Sequence, residues 1–223
     1  MTTAPLSRSL KASLERATAA YQSQLDEPAR AYLERRGLGS SLVTETHRLG
    51  VVRSPLPGHE RFVGRLVIPY IGPKGNVYGM NLRCIEDHDC KEQGEWHHKY
   101  DKPAGMETRM FNTAALVSET DYIFVCEGEL DAITLTACGW PAVAVAGVTH
   151  WRAHHSRMLA GFSRVVLLAD GDEAGRKLAD AVRRSLPVTG EAIVLSDGSD
   201  VNHTYMTGGK EALRALLSDQ EDE

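Results

Sequence analysis

The sequence predicts a mixed α/β protein: an N-terminal α+β segment, then a mainly parallel sheet flanked by helices. Three observations carry this. From residue 121, short apolar runs alternate with helical patterns, the rhythm of βαβ crossovers. Before that, two apolar runs flank the turn Gly72-Pro73-Lys74-Gly75, as in an antiparallel hairpin. The N-terminal stretch repeats apolar residues at helical spacing.

Leu6, Leu10, Leu14, Ala17, Tyr21 and Leu25 predict a first helix over about 6–25. Pro28 and Gly37 bracket a second, and a third is expected from Ser40 to His47. Residues 61–71 and 76–85 form the hairpin, and the polar, turn-rich segment 86–108 is expected as a long excursion from it. Strands are then expected at 122–127, 141–147, 164–170 and 191–198. Helices are expected at 128–139, 150–162, 171–186 and about 208–217. The domain boundaries that follow are an N-terminal helix over 1–27, a basic α+β subdomain over 28–120, an α/β domain over 121–218 and an acidic tail over 219–223.

At 223 residues, 42% hydrophobic and 25% charged, the chain is long enough to bury a core without disulfides. No apolar run approaches a membrane span, and the N-terminus lacks the apolar region of a secretory signal. Four cysteines suit a reducing cytoplasm. A net charge of −5 argues against a uniformly basic nucleic-acid binder. The charge is divided, however: 16 Lys+Arg against 14 Asp+Glu in residues 1–120, and 9 against 16 in residues 121–223.

Acids gather where the rear strands should end. Glu127 closes one strand, with Glu129 and Asp131 in the helix after it; Asp170 and Asp172 close another; Asp197 and Asp200 follow the last. If strand geometry continued, Asp170 and Asp172 would share a side. Each acid alone is explained by helix capping or a turn. Together, carboxylates ~4 Å apart repel by ~4 kcal/mol near a surface, so a converging set needs protons or a cation. Hard oxygen donors suit Mg²⁺ or Mn²⁺, and a pair of such ions serves phosphoryl and nucleotidyl transfer.

These residues carry a resemblance. VCEGELDAITLTACG, RVVLLADGDEAGRKLADAV and SDGSDVN resemble the Toprim domain of DnaG-type bacterial and phage DNA primases, with its EGxxD, DGDxAG and final acidic loop. In the front half, AYLERRGLGSSLVTETHRLGVV, RFVGRLVIPYIGPKGNVYGMNLR and HHKYDKPAG are similar to that family's basic subdomain. The match runs from about residue 28 to 206. It implies a Toprim fold and a primase catalytic core making RNA primers on single-stranded DNA from NTPs, in phage replication. It implies Glu127, Asp170 and Asp172 as catalytic residues. Glu127, Asp131, Asp170, Asp172 and Asp200 would hold two or more Mg²⁺ or Mn²⁺ ions, and Arg36, Arg83, Lys99 and Lys102 would hold template and nucleotide phosphates. The sequence departs from the family at Asn202, where a second loop acid is expected, and at Phe111-Asn112-Thr113, where a lysine is expected. A zinc ribbon with paired CxxC and a helicase-binding domain are not evident, so a separate template-recognition protein and a replicative helicase are expected partners. The location expected is cytoplasmic, in a bacterial host if phage-encoded.

Two other readings compete: a Toprim nuclease or topoisomerase-type DNA-cleaving protein, and a catalytically weakened replisome scaffold. Cys84, His88, Cys90 and His97 could hold zinc, but their spacing is not a strong pattern, and a polar loop that contains histidines is the preferred reading. His150, His154, His155 and His203 are marginal, and Cys126 reads as core packing.

Overall fold

The computed structural model describes residues 5–90, 92–94, 97–186 and 190–218. The acidic tail expected at 219–223 lies outside them. The chain divides into two units, one running to Glu107 and one from Thr108.

In the first unit, α1 (Arg8–Gln22) starts where the Ser7 hydroxyl accepts the Leu10 N–H, and it buries Leu14, Ala17 and Tyr21. Asp26 caps α2 (Glu27–Glu34) and Ser40 caps α3 (Ser41–Thr46) in the same way. The sheet pairs β1 (Gly50–Val51), β2 (Leu66–Ile71), β3 (Val77–Arg83) and β4 (Tyr100–Asp101) in that order, all antiparallel. Leu14, Tyr21, Phe62, Val67 and Leu82 share its core.

Two expectations change here. The first hairpin strand begins at Leu66, not at residue 61, because Glu60–Phe62 is a 3₁₀ turn and Gly64 takes φ 87°. The excursion 86–108 is not wholly irregular either: β4 returns to the sheet, with Arg83 opposite Tyr100 and Leu82 opposite Asp101. A two-residue strand carries too little pattern to be read from sequence.

The second unit holds β5 (Tyr122–Cys126), α4 (Glu129–Ala137), β6 (Ala142–Ala144), α5 (Ala153–Leu159), β7 (Arg164–Ala169), α6 (Glu173–Ser185), β8 (Gly190–Val194) and α7 (Val201–Ser218). Its strands pair in the order β6-β5-β7-β8, all parallel. This is the expected α/β arrangement of a parallel sheet flanked by helices. Val125, Val143, Leu167, Leu178 and Val182 lie in its core. The last helix starts at Val201 rather than near 208: Asp200 accepts the His203 N–H, and a break at Gly209 (φ 66°, ψ −163°) joins two helical pieces.

Strand order places the switch point of this sheet between β5 and β7. One crossover leaves β5 toward β6 on one side, and the chain later returns to β7 on the other. Open α/β sheets bind ligands at the carboxyl ends of strands at such a point. Among the described residues, no helix is long and apolar enough to cross a membrane.

Candidate active site

Glu127 directly follows β5 and Asp170 directly follows β7, so both stand at the switch point. The Asp170 N–H donates to Glu127 Oε1 at 3.0 Å. Asp131, in the first turn of α4, is buried and accepts the Asn202 N–H at 2.9 Å. Asp200 accepts the His203 N–H at 2.6 Å. Asp172 is exposed and does not continue the strand geometry beyond Ala169. It caps α6, accepting the Gly175 N–H at 2.8 Å. The capping explanation therefore holds at Asp172, and Asp200, expected as a turn residue, caps α7 in the same way. Asp197 is exposed and pairs with Arg176 at 3.5 Å.

The motif glycines are there for close approach. A Cβ on Gly175 would meet Glu127 Oε1 at 2.8 Å and the Asp170 nitrogen at 2.9 Å. A Cβ on Gly171 would strike the Ser196 carbonyl oxygen. The DGDxAG spacing thus lets α6 begin directly on the backbone of Asp170.

Electrostatics single out Asp170. Burial, with the charges of Asp131, Glu127, Asp200 and Asp172, pushes its carboxyl up to about 8. Burial also raises Glu127; the bond from Asp170 opposes the shift and the Asp172 charge adds to it. The charges of the other four predicted acids therefore reach Asp170. A dication there would be held by hard oxygen donors and would offset the burial and the neighbouring charges that together raise the Asp170 carboxyl. The residues fit Mg²⁺ or Mn²⁺. Among the described residues, however, the side-chain group whose ligand atoms are already drawn together is not this one: it is Cys84, His88, Cys90 and His97. Carboxylates of one sign repel at such short range.

Asn202, the departure from the expected acid, is 2% exposed. Its amide nitrogen donates to Thr134 Oγ1 at 2.9 Å. This side chain ties α7 to α4. Cys126 is fully buried, and burial pushes its thiol well up, as expected of a packing residue. His155 is buried and accepts the Arg152 N–H through Nδ1; His150 Nδ1 lies 2.7 Å from the Ala146 oxygen.

In the first unit, Arg36, Arg83 and Lys99 line one cleft of about 1110 Å³. Lys102 is not among its lining residues; its backbone meets Asp101 and Arg61 instead. Arg83 is not a solvated cation. It is 6% exposed, donates to Tyr32 Oη at 2.6 Å and also bonds Tyr100 Oη. Sequence reasoning missed Arg35, which lines the same cleft; the doublet Arg35-Arg36 was its available signal.

Known proteins share this fold and parts of this sequence. The Toprim-like family matches residues 124–205. The Gene 57 protein of Mycobacterium phage D29 is 39% identical over 154 residues, covering 67% of this chain and 95% of that protein. A DNA primase of Aquifex aeolicus is 28% identical over 175 residues, 74% of this chain but 34% of that protein, so the chain spans about a third of that relative's length. Among solved structures, a DnaG primase catalytic domain bound to single-stranded DNA superposes with a TM-score of 0.76 at 23% identity, covering 94% of this chain and 80% of that one. The chain belongs to the family of DnaG-type, Toprim-containing primase cores.

Proposed function

We propose that this chain is the catalytic core of a DNA primase that synthesises short RNA primers on single-stranded DNA during phage DNA replication. The observation that carries the reading is the meeting of Glu127 and Asp170 at the switch point, with three further carboxylates acting on Asp170. The phage relative supports the replication context, and the likeness to a domain bound to single-stranded DNA supports the template.

In this reading the 3′-hydroxyl of a bound nucleotide attacks the α-phosphorus of an incoming NTP, a P–O bond forms, and pyrophosphate leaves. Mg²⁺ or Mn²⁺ bound by Glu127, Asp131, Asp170, Asp172 and Asp200 would supply charge neutralisation at the phosphoryl oxygens. Glu127 and Asp170 hold each other in place through the backbone N–H between them. The Asp172 carboxylate is oriented by its cap on α6. Arg35, Arg36 and Lys99 hold the phosphates of a single strand along their side of the cleft, whose lining also carries Glu86, Asp87 and Asp89, and Arg83, locked by Tyr32 and Tyr100, presents a fixed charge in its wall. A separate zinc-ribbon protein that reads the template and a replicative helicase are the partners this reading calls for.

The test is incubation of the chain with single-stranded DNA, NTPs and Mg²⁺ or Mn²⁺, with and without candidate partner proteins. New short RNA supports primer synthesis. Nicked DNA with no RNA supports a Toprim nuclease instead, and neither product supports a replisome scaffold.

A further inference from the structure

We propose that Cys84, His88, Cys90 and His97 form a structural zinc site that pins the loop between β3 and β4 and so fixes one wall of the basic cleft. Their four ligand atoms all lie within 4.8 Å of one another. Cys84 Sγ is 3.6 Å from His88 Nε2 and 3.4 Å from His97 Nε2, and the two Nε2 atoms are 3.0 Å apart. A tetrahedral zinc with bonds of ~2.3 Å to sulfur and ~2.0 Å to nitrogen has edges of ~3.5 Å between S and N and ~3.3 Å between two nitrogens. The three separations among Cys84, His88 and His97 are close to one face of such a tetrahedron, and Cys90 Sγ lies within 4.8 Å of all three.

The surroundings are built to match. His88 turns Nε2 inward while its Nδ1 lies 3.4 Å from Glu86 Oε2, the carboxylate–histidine arrangement that orients a zinc ligand. Both cysteines are free thiols, so no disulfide competes. Two thiolates and two neutral imidazoles form a tetrahedral S₂N₂ set, which suits zinc and carries the charge that balances it. Four protein ligands leave no open position, and Cys84 is buried, so the role is structural rather than catalytic.

The backbone explains how residues 13 positions apart meet. Cys84 leaves β3 and donates its N–H to the Lys99 oxygen at 2.9 Å, extending the pairing of Arg83 with Tyr100. Arg65 donates to the His98 oxygen at 2.8 Å and holds the returning strand. The short strand β4 therefore brings His97 back against Cys84. All four ligands line the cleft that also holds Arg35, Arg36, Arg83 and Lys99.

The test is metal analysis of the full chain purified from zinc-supplemented cells, followed by cobalt exchange. The expected result is one zinc per chain and, with Co²⁺, the intense visible bands of a tetrahedral site with a thiolate-to-metal charge-transfer band. Cys90→Ser and His88→Gln should each lose zinc at least about tenfold, while Asp170→Asn should keep it. Both substitutions fall on partly exposed loop residues, and circular dichroism will report whether each variant is folded. Wild-type protein with no stoichiometric zinc and no charge-transfer band would overturn the proposal. So would zinc that survives both loop substitutions in folded protein, or that departs with Asp170→Asn. None of these readouts depends on primer synthesis, so a failed synthesis assay leaves them standing.

Discussion

The Asp170 N–H donates to the Glu127 carboxylate at 3.0 Å, so the first residues beyond two neighbouring parallel strands are locked to each other. That single bond brings the acid of the EGxxD motif onto the first acid of the DGDxAG motif. It sets up a cluster whose charges oppose one another until something relieves them.

Metal-free protein should therefore carry a destabilising repulsion at Asp170. At neutral pH Asp170→Asn removes the cost of holding a proton that the unfolded carboxyl would release, and should leave the thermal midpoint unchanged or raise it. Adding Mn²⁺ or Mg²⁺ should raise the wild-type midpoint and have much less effect on the variant. Differential scanning fluorimetry with a metal titration checks both statements.

Gly175→Ala should be costly although it adds only one methyl group, because that methyl would press on Glu127 and on the Asp170 backbone. Overpacking of this kind costs about 1–3 kcal/mol. Gly161→Ala, where nothing lies within 4 Å, should change stability by no more than about 0.5 kcal/mol. Urea denaturation of the pair compares them directly.

The arginines of the cleft should separate into two kinds. Arg36→Ala should weaken single-strand binding and lower its salt slope by about 0.7 for each phosphate that Arg36 neutralises. Arg83→Ala should also destabilise the fold by about 2–4 kcal/mol, because it strips a buried, doubly bonded side chain from between Tyr32 and Tyr100. Arg83→Lys should not restore binding, since a single ammonium cannot reproduce the fork. Fluorescence anisotropy at several salt concentrations, with denaturation curves, reports both effects.

Much of the fold and of the acidic site is legible in the sequence, and the residues show why. The strands β5 and β7 are mostly apolar and are each followed at once by an acid, so their type and place in a parallel sheet follow from composition and alternation with helices. Asp172 is readable as a cap and is one, whereas Asp200, readable as a turn residue, instead accepts the first-turn N–H of His203. What could not be read depends on meetings of residues far apart along the chain. The burial of Arg83 requires Tyr32 and Tyr100 to arrive from 51 and 17 residues away. The Cys84 cluster depends on β4, two residues long and without periodicity. Asn202 reads as a weakened ligand because its neighbours Asp131 and Thr134 are distant in sequence.

Acid should destabilise the first unit through His47; in the second unit the raised Asp170 carboxyl favours the folded state as pH falls and opposes the His155 effect. Burial holds His47 and His155 neutral, lowering each from 6.5 to about 4. The unfolded chain takes up these protons first, so each histidine's own contribution is full above about pH 6.5 and is lost as pH drops toward 4, by on the order of 3 kcal/mol. His155→Gln, whose side chain can still accept the Arg152 N–H, should flatten the part of this limb that belongs to the second unit. Urea midpoints between pH 4 and 8 measure it.

The most direct measurement is incorporation of labelled NTP into RNA on single-stranded DNA by wild type, Glu127→Gln and Asp170→Asn, alongside single-strand binding by all three. With the candidate partner proteins present, the wild type should make RNA, each variant at least a hundredfold less, and all three should bind the strand. Full synthesis by both variants would contradict this expectation.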